Sequence, residues 1–216
     1  METEQRGRGR PRTGDEVADA RLLEGALAAF AEDGYEGTSI RDIARRLGVS
    51  HTLLAARFGS KEGLWFAAME HTLAGAERSW RAATAEPGSD DLAALRRGIV
   101  EQILFAAAHP EVLRIMAHEG AIDSPRIRFV IDRFVTPLRP LVETRLARLA
   151  ADGRLRDVPY TTLHFLVTHG AGAHFANPVE AALLGAGPLS DDAALRAHAE
   201  TVADLLIAGL TPPRSR

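Results

Sequence analysis

The sequence predicts an all-α protein of about nine helices, a three-helix N-terminal unit followed by a larger helical body. Three observations lead there. Apolar residues recur every three or four positions through most of the 216 residues, the spacing that gives a helix one buried face. No segment alternates apolar and polar residues in the manner of a half-buried strand. Ser, Thr and Asp precede many of the periodic stretches, and Gly or Pro follows them, as helix starts and stops require.

Residues 1–13 read as a flexible basic arm with too little apolar surface to fold alone. Within it, Arg8-Gly9-Arg10-Pro11 resembles the core of an AT-hook, and extended arginines such as Arg8 and Arg10 fit a narrow, electronegative minor groove. The first helix runs from about Asp15 to Asp33. Its buried stripe is Val17, Ala20, Leu23, Leu27 and Phe30, and Gly34 ends it. Tyr35 is expected to pack beneath the next helix.

Thr38 to Lys61 organises the rest. Thr38 or Ser39 caps a helix whose apolar face is Ile40, Ile43, Ala44 and Leu47. Gly48 ends that helix by taking the left-handed conformation at little cost. Ser50 caps a second helix from about His51 to Arg57, with Leu54 and Phe58 facing inward. Helix, glycine turn and short helix form the arrangement that lays its second helix in the DNA major groove. Residues 39–61 hold five basic groups, Arg41, Arg45, Arg46, Arg57 and Lys61, and one acidic group, Asp42. His51, Thr52 and Leu53 open the second helix, where base edges are read. Ser60 caps a fourth helix whose first-turn N–H groups, with Lys61, make a phosphate site. Trp65, Met69, Leu73, Ala76 and Trp80 then carry a long stripe away from the DNA.

Four linked motifs stand in order: ALAAFAEDGY over 26–35, TSIRDIA over 38–44, LGVS over 47–50 and FGSKEGL over 58–64. Together, from about Asp15 to Met69, they resemble the DNA-binding domain of TetR-type transcriptional regulators. The resemblance implies an all-helical homodimer, usually a repressor, with a ligand pocket in a variable C-terminal domain. Thr38, Ser39, Arg41, Ser50, His51, Thr52, Leu53, Arg57 and Lys61 are the residues expected to face DNA. One departure stands out. Ala55 occupies the place of a tyrosine that usually contacts phosphate, and Leu53 that of a hydroxyl that often faces a base. The operator is therefore not transferable from a relative.

The later helices follow the same period. Ser89-Asp90 caps one with Leu92, Leu95, Ile99, Gln102, Ile103 and Ala106; His109-Pro110 breaks it; a short helix carries Val112, Ile115, Met116 and Glu119. Arg126 to Asp152 reads as one long helix with Pro137 and Pro140 inside it, where a kink is expected because proline lacks the N–H and clashes with the previous turn. Pro159 starts the next, which runs on until Asn177-Pro178 breaks it; Val179 to Leu184 adds a turn or two; Ser190-Asp191 caps the last, with Leu195, Ala199, Val202, Leu206 and Leu210 on one side. The expected domains are the arm over 1–13, a helix-turn-helix domain over 14–60 and a ligand-binding and dimerisation domain over 61–216.

The body offers little for catalysis. There is no cysteine, hence no disulfide, thiol nucleophile or zinc-thiolate site, which fits a reducing cytoplasm. No apolar run approaches the ~20 residues that span a bilayer. Of the eight histidines, His118-Glu119 lacks the second histidine of a helical zinc site, and His164, His169 and His174 are spaced by five and do not share a face well. Gly170-Ala171-Gly172 lacks the third glycine and the strand of a dinucleotide loop. Neither a metal nor a cofactor is expected. A cavity for an apolar or aromatic molecule with one or two polar groups is expected among Trp80, Ile103, Leu104, Phe105, Met116, Phe129, Phe134 and His164. Gly170, Ala171 and Gly172, with Leu195, Val202 and Leu206, are expected to form the seam of a homodimer. The sequence thus points to a non-enzymatic, cytoplasmic regulator that binds a palindromic operator in double-stranded DNA and is released by a small effector. The rival reading is a helical carrier or enzyme whose N-terminal hairpin is structural. Such a protein needs neither the basic arm nor an exposed His51-Thr52-Leu53.

Overall fold

The computed structural model describes residues 13–85, 90–187, 189 and 191–213. The arm with Arg8 and Arg10, the break at 86–89, Ser190 and the side chain of Val17 lie outside the described residues. The described residues form helices only: α1 (Thr13–Gly37), α2 (Ile40–Leu47), α3 (His51–Phe58), α4 (Lys61–Thr84), α5 (Asp91–Ala108), α6 (Pro110–Glu119), α7 (Pro125–Val130), α8 (Arg139–Ala151), α9 (Tyr160–Phe165), α10 (Ala173–Ala176), α11 (Pro178–Leu183) and α12 (Asp192–Leu210).

The N-terminal unit forms as its residues require. Gly34 leaves helical geometry at φ 71° and ψ 166°, which bends the end of α1. Ser39 Oγ accepts the Asp42 N–H at 3.1 Å and so caps α2. Gly48 sits at φ 67°, ψ 26°, a conformation that would strain a side-chain-bearing residue. Its N–H and that of Val49 close the α2 C-terminus. Ser50 and Ser60 cap α3 and α4 through the N–H groups of Leu53 and Gly63. Leu27, Phe30, Ile43, Leu54, Leu64 and Trp65 are buried together. This core does not stop at residue 60: Ala68, Met69, Val112, Ile115 and Val130 belong to it. A second core joins Leu95, Ile99 and Ile103 of α5 to Leu149 of α8, Leu163 of α9, and Ala199 and Ala203 of α12.

The expected long helix over 126–152 is broken rather than kinked. A π-turn over Ile131–Val135 follows α7, closed by Thr136 N–H to Ile131 C=O at 2.8 Å, and α8 begins only at Arg139. Pro137 and Pro140 cannot donate to the preceding turn, so the α-helical ladder is interrupted where they stand. A second π-turn, Leu166–Gly170, separates α9 from α10 and ends in Ala171 N–H to Leu166 C=O at 2.9 Å. The expected continuous helix from Pro159 to the Asn177-Pro178 break is thus divided too. Single π-turns of this kind widen a helix and are frequent at functional sites.

Candidate DNA-contacting face and ligand cavity

On α3, the Ser50 cap leaves His51, Thr52 and Leu53 exposed at the helix start, while Leu54 is fully buried. The helix is thereby locked by one side and presents its first turn on the other. Arg41 is exposed and pairs with no acidic group among the described residues. The other arginines of this face have partners. Arg45 meets Asp42 at 2.7 Å. Arg46 reaches Glu32 at 2.9 Å and also Asp33. Arg57 pairs with Asp19 of α1. Exposed pairs like these contribute only about 0–1 kcal/mol, so a phosphate can displace the carboxylates.

Two expected DNA contacts are corrected. Thr38 is only 4% exposed, and its hydroxyl donates to Gly34 C=O. It closes the bend after α1 and has no free surface for DNA. The Lys61 ammonium donates to the carbonyls of Tyr35 at 2.9 Å and Thr38 at 3.1 Å, and lies 4.1 Å from the Tyr35 ring centre. It ties α4 to the α1–α2 turn instead of projecting toward a phosphate. Ser39 is committed in part as well, since it caps α2 and hydrogen-bonds Asp42.

Behind this unit lies a cavity of about 210 Å³, walled by α4, α5, α6, the end of α7, α8, α9 and both π-turns. Trp80, Phe105, Met116, Phe134 and His164 line it, as the sequence leads one to expect. Ile103, Leu104 and Phe129 do not. Ile103 is fully buried and Leu104 packs with it in the second core. Phe129 lies 4.7 Å, centre to centre, from Phe66 and belongs to the first core. Each is on a helix that borders the cavity, but one or two positions round from the lining face. Sequence reasoning missed Glu77, Gln102, Tyr160, Thr168 and His169, all of which line it. Tyr160 and His164 are four residues apart at the start of α9, a spacing that places them together, and Tyr160 Oη lies 3.3 Å from His164 Nδ1. Burial, and then the neighbouring His169, hold the His164 imidazole below its ordinary pKa; burial does the same to His169. Burial raises the Tyr160 phenol above its usual value. All three groups are therefore uncharged at neutral pH.

The expected seam residues mostly face the protein's own interior. A Cβ at Gly172 would lie 2.9 Å from Leu113 Cδ1 and 3.0 Å from Ala106 Cβ, so this glycine lets the α9–α10 segment approach α5 and α6 of the same chain. Ala171, Val202 and Leu206 pack on the second core. Leu195 is half-buried on α12, and Gly170 is exposed. The exposed apolar residues of the same segments are Phe165 (61%), Leu166 (45%) and Leu205 (67%).

A capped recognition helix whose neighbourhood over residues 39–61 holds five basic groups against Asp42, set on a helical body with an apolar cavity, defines a DNA-binding protein by class. The comparisons make that class specific. The bacterial regulatory protein TetR family model matches residues 22–68. The transcriptional repressor AcnR of Corynebacterium efficiens is 32% identical over 160 residues, which cover 70% of this chain and 78% of AcnR. The transcriptional regulator RutR of Escherichia coli K12 is 28% identical over 198 residues, 88% of this chain and 89% of RutR. The chain belongs to the TetR family of transcriptional regulators. Its fold matches the ketosteroid transcriptional regulator KstR2 of Mycobacterium tuberculosis with a TM-score of 0.71 at 19% identity, covering 91% of this chain and 96% of that one. No helix among the described residues is long and apolar enough to cross a membrane.

Proposed function

We propose that this protein is a cytoplasmic homodimeric repressor that occupies a two-fold palindromic operator and is released by a small apolar or aromatic molecule. The observation that carries the reading is the exposed His51-Thr52-Leu53 turn on an α3 anchored by buried Leu54. Arg41 and Arg57 position the phosphate backbone, and the first turn of α3 reads bases. The arm with Arg8 and Arg10 adds minor-groove contact. Phe165, Leu166 and Leu205 supply the apolar area of a two-fold seam, an isologous surface that sets the spacing of two recognition helices. α4 supports coupling, because its start packs on the recognition unit and Trp80 near its end lines the cavity. A ligand favouring the non-binding spacing then weakens DNA binding, and DNA weakens ligand binding by the same factor.

The test is capture of bound DNA genome-wide, followed by a gel shift on the recovered sequences with and without candidate ligands. A palindromic motif whose complex dissociates on ligand addition is expected. Binding without preference over random duplex at moderate salt sinks the repressor reading. Specific binding that no cavity ligand alters sinks the release step alone.

A further inference from the structure

We infer that the cavity selects an uncharged ligand, a one- or two-ring or short-chain apolar body carrying a single hydroxyl or carbonyl that docks on the Tyr160–His164 pair. The inference rests on the proposed ligand site and narrows what fills it.

Size comes first. An apolar cavity of about 150 Å³ takes a benzene, so about 210 Å³ leaves room for a second ring or a short chain. Charge comes next. No lysine or arginine lines the cavity among the described residues. An anion would meet no cation in the lining, since the Arg139 guanidinium, 5.4 Å from the Tyr160 ring centre, lies outside it and pairs with Glu143 at 2.8 Å, and burying an unpaired ion is heavily penalised. The one lining carboxylate, Glu77, already accepts Arg81 Nε at 2.9 Å on Oε1 and Arg133 Nη1 at 3.3 Å on Oε2. It therefore repels anions weakly and is not free to pair with a cation.

The remaining polar groups are neutral dipoles: Gln102, Trp80, Thr168, His169 and the Tyr160–His164 pair. The Thr168 hydroxyl is occupied by His164 C=O at 2.7 Å. Tyr160 and His164 are already oriented by their mutual contact of 3.3 Å. With Tyr160 donating to Nδ1, the pair retains one donor, the Nε2 proton, and one acceptor, the phenol oxygen. A hydroxyl meets both and a carbonyl meets the first. The π-turn at 166–170 follows this pair and places Val167, Thr168 and His169 in the same wall. The polar end is thus built by one irregular helix.

Naphthalene, 2-naphthol and 2-naphthoate test this by calorimetry at pH 7.5 on the full-length protein without DNA. One added neutral hydrogen bond should make naphthol ~10-fold tighter than naphthalene, and naphthoate should bind ~100-fold more weakly than naphthol for want of a counter-charge. In Tyr160→Phe with His164→Leu, naphthol should fall to the level of naphthalene while naphthalene keeps its affinity, which also certifies the fold. Naphthoate binding as tightly as naphthol overturns the inference. So does a naphthol preference that survives in the double variant, or a failure of all three to bind. Operator release is measured separately on the same samples. Naphthol that binds as stated yet leaves the operator complex intact upholds this inference and defeats the proposed release.

Discussion

The Arg126 guanidinium lies 3.6 Å from the centre of the Tyr35 ring, and with it the N-terminal unit is fastened to the helical body. Tyr35 sits at the end of α1, just past the bend at Gly34; Arg126 lies in the first turn of α7. Arg126 Nε donates to Glu119 Oε1 at 2.8 Å, and Ser124 Oγ donates to Glu119 Oε2 at 2.7 Å, all three residues being buried. Glu119 closes α6, the helix that also presents Val112, Leu113 and Met116 to the cavity. One short helix therefore borders both the cavity and the joint.

Arg126→Met should be strongly destabilising, because it leaves the Glu119 carboxylate buried without its counter-charge. Breaking such a pair from one side typically costs about 3–5 kcal/mol. Adding Glu119→Gln should recover much of the loss, since the uncompensated charge is gone. Urea unfolding of the two singles and the double checks this. Equal stability of Arg126→Met and the parent would show that the pair does not hold the joint.

Arg41→Ala should weaken binding to every duplex alike and reduce the salt slope by about one, as expected for a lost phosphate contact. Leu53→Ser should instead change preference at one base position in each half-site, where Leu53 offers an apolar contact to a thymine methyl and a wrong base pair typically costs about 1–3 kcal/mol. Binding-site selection with both variants separates the two roles. An unaltered motif for Leu53→Ser removes that residue from base reading.

Acid should weaken the fold through the cavity histidines. His164 and His169 have folded pKa values depressed by burial, and His164 also by His169, so the unfolded chain binds more protons than the folded one below about 6.5. Stability is full above that pH and is lost as pH falls through the depressed folded values. His164→Gln should therefore show a smaller fall in melting temperature between pH 7.5 and 5.5. A parallel pH dependence in parent and variant would mean that His164 does not contribute.

Leu205→Glu should dissociate the dimer while the monomer keeps its helices, because Leu205 is two-thirds exposed in the isolated chain and a carboxylate in an apolar seam is costly to desolvate. Gly172→Leu should do the opposite. Its added atoms collide with Leu113 and Ala106, an overpacking worth about 1–3 kcal/mol of fold stability. Sedimentation velocity alongside thermal melts distinguishes them. A dimeric Leu205→Glu moves the seam elsewhere.

The N-terminal unit was legible because its signals are local. Ser39, Ser50 and Ser60 cap, and Gly48 turns, through atoms within a few residues of themselves. What eluded the sequence depends on distant partners. Lys61 looks like a phosphate contact until the carbonyls of Tyr35 and Thr38, more than twenty residues earlier, are seen to hold it. Ile103 and Phe105 share α5, but only Phe105 reaches the cavity. Periodicity gives the width of an apolar stripe, not which edge meets a neighbour and which meets a void. Prolines at 137 and 140 announced a disturbance, but a kink and a π-turn have the same signature in sequence. Val202 and Leu206 are half-buried against the second core, a packing that the α12 stripe alone does not distinguish from a seam.

Lys61 is the only lysine in the chain. An acylating reagent thus meets a single side-chain amine, and that amine lies within the fastening between α4 and the Tyr35–Thr38 turn. Its labelling rate becomes a clock for how often the two parts separate. Acetylation of that amine removes a charge from the contact between α4 and the end of α1, and leaves the arginines of the DNA-facing side as they are.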